Sequence, residues 1–220
     1  MIEIKNLNKI YLKGKKNMVH ALNNINLKID DRETVAIIGE SGAGKSTLLH
    51  IMSCIDNFDG EYYLDNIDIN KLSESKKSKL RSSKIGIVLQ DFALIDDFTV
   101  FENVMTPLYF NKKIKDKKGS VMRALKKTGI ASLKSKKVSQ LSGGQKQRVA
   151  ISRALVTNPE YIFADEPTGS LDSKTSEEIV KMLFDLNRNG ITIVIVTHNL
   201  EIANQCHHIM RNSIRLGDFG

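Results

Sequence analysis

The sequence predicts an α/β fold: a mostly parallel sheet flanked by helices, a small antiparallel β-subdomain, and a helical subdomain inserted between sheet strands. Three observations carry this. Short apolar runs rich in β-branched residues, at 34–38, 85–89, 161–164 and 191–196, have the continuous hydrophobicity of strands buried on both faces. They alternate with segments of helical period. Near the amino terminus, 2–12 and 19–29 read as strands around a Lys13–Lys16 turn, and Gly60–Leu64 turns at Asp65-Asn66 into Ile67–Ile69. Between 91 and 157 the pattern is mostly helical. One domain is expected, with 1–90 and 158–220 forming the core and 91–157 the inserted lobe.

Each element has a local cause. Thr34 to Ile38 is a buried strand, and Leu48, Leu49, Ile51 and Met52 recur at helical spacing directly after it. A polar helix over 73–82 precedes the strand Ile85–Leu89. Thr99 and Glu102 have capping-box spacing ahead of a helix over Val100 to Phe110. A helix over Lys146 to Val156 carries the stripe Val149, Ala150, Ile151, Ala154 and Leu155. Asp172 is an N-cap residue for a helix over 173–188 that Asn189-Gly190 stops. Ile191 to Val196 is the last strand of the core.

Composition narrows the class. The 220 residues are ample for a buried core, and Cys54 and Cys206 have neither metal-ligand spacing nor the density of a disulfide scaffold. Both read as small apolar residues of the core. Cys206-His207-His208 match no metal pattern. No leader pattern opens the sequence, and its longest apolar runs are about six residues against the ~20 of a membrane span. The net charge of +8 is concentrated: between Lys112 and Lys137 ten Lys and one Arg face only Asp116. Solvated helix faces explain such a run. Contact with an anionic membrane leaflet is the alternative reading. Stacking aromatics and nucleic-acid motifs are missing from the segment, so no nucleic-acid partner is expected.

Chemistry enters with Gly39-Glu40-Ser41-Gly42-Ala43-Gly44-Lys45-Ser46-Thr47, which fits the phosphate-loop pattern G-x-x-x-x-G-K-[ST]. The glycines let successive amides point at phosphate oxygens, and the following helix adds the positive end of its dipole. Lys45 is expected to reach the β- and γ-phosphates, and the Ser46 hydroxyl to bind Mg²⁺. A glycine-rich turn that binds nothing is the competing account. Leu141-Ser142-Gly143-Gly144-Gln145, about a hundred residues on, argues against it. Asp165-Glu166 leaves the carboxyl end of a strand, where open α/β sheets bind their ligands. Gln90 and His198 follow strands in the same way.

Together the phosphate loop, Leu141–Gln145, Asp165-Glu166 and Pro167-Thr168-Gly169-Ser170-Leu171-Asp172 resemble the ATP-binding cassette (ABC) family over nearly the whole chain. The resemblance implies a RecA-like P-loop NTPase core, ATP and Mg²⁺ as cofactors, and ATP hydrolysis. Asp165 would hold Mg²⁺ with Ser46 and Gln90, Glu166 would be the general base, and His198 would contact the γ-phosphate. Tyr11 resembles the aromatic that stacks on adenine, with simple packing as its alternative. Ser142, Gly143, Gly144 and Gln145, with Asp172 in the adjoining loop, would act on nucleotide held by a second copy, giving a head-to-tail homodimer around two ATP.

Three functional classes fit such a cassette. The first is the ATPase subunit of a membrane transporter, peripheral at the cytoplasmic face of the cell membrane and driving an integral permease. The second is a force-transducing ATPase of the cell-division type, and the third a DNA-repair or translation protein. The third usually carries a second cassette or a long coiled coil between the phosphate loop and Leu141–Gln145, and here that interval is ordinary in length and has no heptads. The 167–172 loop and the absence of a C-terminal regulatory domain resemble the lipoprotein-releasing, macrolide-exporting and antimicrobial-peptide-resistance group. Phe92, Phe98, Phe101, Tyr109 and Phe110 crowd the region that receives the permease in transporters, a helix-in-groove docking. Phe92, Leu94 and Phe98 are its expected contacts, and one or two of the rings are expected to remain partly exposed. Arg211–Leu216 lacks the family's Asp-Gly turn.

Overall fold

The computed structural model describes residues 1–12, 17–40 and 42–211. The expected Lys13–Lys16 turn, Ser41 of the phosphate loop and all of Arg211–Leu216 beyond Arg211 lie outside the described residues.

Two sheets organise the chain. β1 (Ile2–Tyr11), β2 (Val19–Ile29), β4 (Asp59–Leu64) and β5 (Ile67–Asp68) form an antiparallel sheet in the order β2-β1-β4-β5. β3 (Thr34–Ile38), β6 (Ile85–Val88), β7 (Tyr161–Asp165), β8 (Thr192–Val196) and β9 (His208–Arg211) form a parallel sheet in the order β6-β7-β8-β3-β9. The expected α/β fold with a small antiparallel subdomain is therefore the observed one.

Side-chain alternation on β7 and β8 divides the core. Tyr161, Phe163, Val194 and Val196 pack with the antiparallel sheet and with α1 (Lys45–Met52). Ile162, Ala164, Ile193 and Ile195 pack on the opposite face. There they meet α5 (Gly143–Leu155) and α6 (Ser173–Arg188), and α5 packs in turn on the lobe helices α3 (Val100–Met105) and α4 (Lys117–Lys127). Successive strand residues thus bind the two halves of the molecule to one sheet.

Local chemistry set the helix boundaries, and some differ from the expected ones. The helix expected through Phe110 ends at Met105, because Pro107 lacks the amide hydrogen that an α-helical turn needs. A 3₁₀ turn, Thr106–Tyr109, follows. The helix expected from Lys146 begins at Gly143, since Ser142 and Gln145 form a capping box at its start. The polar helix α2 spans Glu74–Lys84. Strand β5 stops at Asp68, whose carboxylate accepts the Asn70 amide (3.0 Å) and turns the chain into a 3₁₀ segment. Cys54 is buried, whereas Cys206 is only partly so. α7 (Leu200–Ala203) is one short turn capped by Asn199.

One polar knot ties the sheets together. At the β4–β5 turn, Asp65 accepts hydrogen bonds from Lys84, the Tyr161 hydroxyl and the amino group of Met1. Burial opposes ionisation of Asp65, but these donors outweigh it and hold the carboxyl at about 2. The folded value lies below the ordinary one, so Asp65 contributes stability above about pH 4 that is lost as pH falls towards 2. Asp65→Asn should therefore lower the unfolding free energy read from urea melts most at pH 6–7, by on the order of 1–2 kcal/mol. The gap to wild type should shrink progressively below pH 4; a gap independent of pH would contradict this account.

Candidate active site

At the carboxyl ends of β3, β7 and β8 lies a cavity of about 550 Å³. Gly39, Gly42, Gly44, Lys45, Ser46 and Thr47 form one wall. Gln90, Asp165, Glu166 and His198 form the facing side, and Tyr11 stands at the edge. Nearly all residues expected around the phosphates, metal and base are thus gathered in one space. Glu40 and Ala43 shape the loop without lining the cavity; the Ala43 amide donates to the Glu40 carbonyl (3.2 Å).

The loop reaches this shape through left-handed backbone at Gly42 (φ 80°) and Gly44 (φ 75°), which favours glycine. Gly44 occupies the N-cap of α1, so no side chain caps that helix and no acidic residue stands in its first turn. Its leading amides point free at the cavity, the arrangement that accepts an anion. Lys45 Nζ donates to the carbonyls of Gly39 (2.9 Å) and Glu40 (2.7 Å), holding its charge on the same loop.

Across the cavity, β7 delivers Asp165 as its last residue, largely buried and with no side-chain hydrogen bond among the described residues. Glu166 follows in left-handed backbone (φ 43°), a costly conformation for a side chain of this size. Its amide is held by the Val196 carbonyl (2.9 Å), so β8 fixes the turn. The Glu166 carboxylate meets His198 Nδ1 at 2.9 Å and accepts from Thr197 Oγ1 at 3.4 Å. The Gln90 amide lies near Gly169, where a Cβ would stand 3.6 Å from its nitrogen.

Tyr11 is not core filler. Its hydroxyl donates to Asp56 Oδ2 (2.9 Å) and approaches Thr47 Oγ1 (3.5 Å), and its ring borders the cavity. Val19, His20 and Ala21 of β2 line the same edge and were not singled out by sequence. The signal was the hairpin register, since Tyr11 pairs with Val19 and Ile10 with His20.

Ser142, Gly143, Gly144, Gln145 and Asp172 line no part of this cavity. They form a second group, in which Gly144 closely approaches Thr175 and Gly143 approaches Leu171. Asp172 caps α6 through the Thr175 amide (2.9 Å), and Ser142 Oγ accepts from the Gln145 amide (3.4 Å). Accepting that bond leaves the serine hydroxyl hydrogen free to donate elsewhere.

A residue that the sequence does not single out ties the helix of the second group to the loop after Gln90. Arg153, on α5, donates to the carbonyls of Phe92 (2.8 Å) and Ala93, the two left-handed residues (φ 61° and 45°) shortly after Gln90. Burial pushes the Arg153 guanidinium below its ordinary pKa, and Asp91 opposes that shift. No side-chain pattern marks this contact, because both partners are backbone carbonyls.

With that geometry, comparison with known proteins is decisive. Residues 22–169 match the family model described as ABC transporter. The chain belongs to the ABC transporter family. The ABC transporter ATP-binding protein MJ0796 of Methanocaldococcus jannaschii is 47% identical over 210 residues, 92% of this chain and 89% of the relative. The macrolide export ATP-binding/permease protein MacB of Mannheimia succiniciproducens is 42% identical over 96% of this chain, which spans 33% of that longer protein. A dimeric structure of MJ0796 in a post-hydrolysis state, bound to ADP and Pi, superposes with TM-score 0.89 at 42% identity, covering 97% of this chain and 95% of that one. As a cassette of this family the protein binds and hydrolyses ATP.

The Arg153 contact makes a measurable demand on the cassette. Arg153→Ala should accelerate amide hydrogen exchange at residues 92–96 by about tenfold, the loss of roughly one charge-assisted bond, while β7 and β8 keep their protection. Arg153→Lys should restore little, because one ammonium cannot span both carbonyls as a guanidinium does. Unchanged exchange after Arg153→Ala would remove the clamp.

Proposed function

We propose that this cassette hydrolyses ATP as a head-to-tail homodimer, peripheral to a membrane, and drives a separate permease of the export type. The carrying observation is the division of anion-binding groups. One set lines the cavity around Lys45, and a second, around Ser142, stands outside it. A nucleotide in the cavity is completed when the second set comes from another copy.

The chemistry follows from the residues. Phosphate oxygens compete with the Gly39 and Glu40 carbonyls for Lys45, and the uncapped amides of α1 take the remaining charge. Among the described residues no cluster of three or more His, Cys, Asp or Glu could cage a metal. A lone buried carboxylate with a hydroxyl and an amide instead suits Mg²⁺, which keeps waters and phosphate oxygens as ligands. Ser46, Asp165 and Gln90 would hold that ion, which neutralises charge on the β- and γ-phosphates when bound.

Glu166 takes the proton of the attacking water, its carboxylate held by Thr197 and His198. His198, its side chain largely exposed, turns to the γ-phosphate as that group arrives. Tyr11 stacks on the base at the cavity edge. Ser142 donates its free hydroxyl hydrogen to the γ-phosphate held by the partner copy, with Gly143 and Gly144 adding helix-start amides and Gln145 holding the serine in place through the capping box. Asp172 holds the adjoining loop against that interface. Loss of the γ-phosphate removes these bridging contacts and releases the dimer, so two states differ in affinity and motion results.

The permease reading is supported by the MacB relatives, in which the cassette is part of a protein named for ATP-binding and permease. It is also supported by the rings after Gln90. Phe92, Leu94 and Phe101 are half-buried and Phe98 is exposed, so an apolar surface beside Gln90 is left open to a partner.

Two experiments test the assignment. Glu166→Gln should bind ATP normally, lose at least ~10²-fold in turnover, and accumulate as an ATP-bound dimer; near-normal hydrolysis removes Glu166 from the role. Lys45→Ala should lose nucleotide binding as a monomer, whereas Ser142→Arg should keep it and fail to dimerise or hydrolyse. Gel filtration with ATP and a binding titration separate the two. Equal loss of affinity in both variants would end the two-copy arrangement.

A further inference from the structure

The most exposed large apolar side chains among the described residues are Phe110 (73%) and Tyr109 (65%). They adjoin each other, and nothing about them is loose. Leu108 before them is fully buried, and Asn111 after them is buried, donating to the Ser82 carbonyl (2.9 Å) and accepting the Lys113 amide (3.1 Å). The Phe110 amide closes a turn on Pro107 (3.2 Å). Two rings are thus held outward by anchors on either side.

Immediately downstream stand five lysines, 112, 113, 115, 117 and 118, against one acid, Asp116. Asp116 is already engaged, capping α4 through the Gly119 amide (2.9 Å) and pairing with Arg123 (3.2 Å). None of the five lysines is in an ion pair among the described residues, and Lys117 Nζ stands 5.5 Å from the centre of the Tyr109 ring. A rigid apolar apex is therefore followed along the chain by unpaired ammonium groups, one of which stands over the Tyr109 ring.

We propose that this apex is a lipid-contacting surface: Tyr109 and Phe110 enter the headgroup region of an anionic bilayer while the lysines of 112–118 meet its acidic headgroups. Aromatic rings favour that depth, and each lysine near an anionic surface adds attraction worth up to a severalfold gain in affinity. A single-stranded nucleic acid is the weaker fit, because bases stack in a groove and these rings protrude. The proposal rests on the reading that the cassette works at a membrane. It adds that the chain touches lipid directly, without the permease as intermediary.

The chain contains no tryptophan, so Phe110→Trp supplies a unique reporter. With vesicles of phosphatidylcholine and phosphatidylglycerol (3:1) its emission should shift to the blue, and with phosphatidylcholine alone it should not. Lys112→Glu/Lys113→Glu/Lys115→Glu should weaken co-sedimentation of the whole chain with the anionic vesicles by at least about tenfold. Lys5→Glu/Lys28→Glu/Lys71→Glu, an equal charge change on and beside the antiparallel sheet, should weaken it far less. Equal binding to neutral vesicles, equal loss in both triple variants, or tighter binding to a single-stranded oligonucleotide overturns the proposal. So does capture of a membrane protein through this apex without any vesicle binding. ATP hydrolysis measured in solution should be unchanged by either triple variant. Failure of hydrolysis in the wild type sinks the functional reading and leaves the vesicle result to judge the lipid surface alone.

Discussion

Burial of the parallel sheet from both sides is the constraint on which the rest of the molecule depends. A sheet covered on both faces can open to solvent only at its strand ends, so ligand chemistry has nowhere else to collect. β3, β6, β7 and β8 run in the same direction, and the residues just beyond their ends are Gly39, the Leu89-Gln90 pair, Glu166 and the Thr197-His198 pair. Parallel registration brings these ends level, as Asp165 pairs with Val196 and Ile37 also pairs with Val196. The site is therefore a consequence of sheet polarity, completed by short turns.

Within that frame, helix capping decides which helix starts remain open. α3, α5 and α6 are each closed by a side chain from Thr99, Ser142 or Asp172. α1 carries glycine at the same position and leaves its amides free. Binding a phosphate at α1 thus replaces a cap that the sequence withheld. At α5 the cap is partial: the hydroxyl accepts one bond within the chain and retains a hydrogen to donate outward. The two helix starts differ in chemistry before any nucleotide arrives.

This difference also explains what was legible beforehand. The buried strands and the phosphate loop could be read because their signals are local: continuous β-branched runs, and glycines spaced before Lys45. Asp172 and the Thr99–Glu102 box were equally readable, since capping needs only neighbours three residues apart. The end of α3 at Met105 was misjudged because the apolar pattern continued past Pro107, and proline's missing amide outweighed it. α5 starts three residues before the expected Lys146, because the Ser142–Gln145 capping box carries the helix through Gly143 and Gly144. His20 and Arg153 escaped notice because their partners are distant in sequence, and for Arg153 they are bare carbonyls.

Arg153 also shows how the lobe is tied to the core. α5 begins with the group around Ser142 and near its other end grips the turn that follows Gln90, so one rigid helix links the second anion-binding set to a loop beside the cavity. Gly86 brings the same helix close to β6: a Cβ there would stand 2.7 Å from the Ala154 carbonyl oxygen, which leaves no room for sliding. A displacement of the loop after Gln90 must therefore move α5 as a body or break two hydrogen bonds to a largely desolvated guanidinium. The exposed rings after Gln90 lie on the same lobe, and so does all of the excess positive charge. Nucleotide chemistry thus belongs to the sheet and its strand ends. Contact with the outside belongs to the lobe, and α5 is the mechanical link between them.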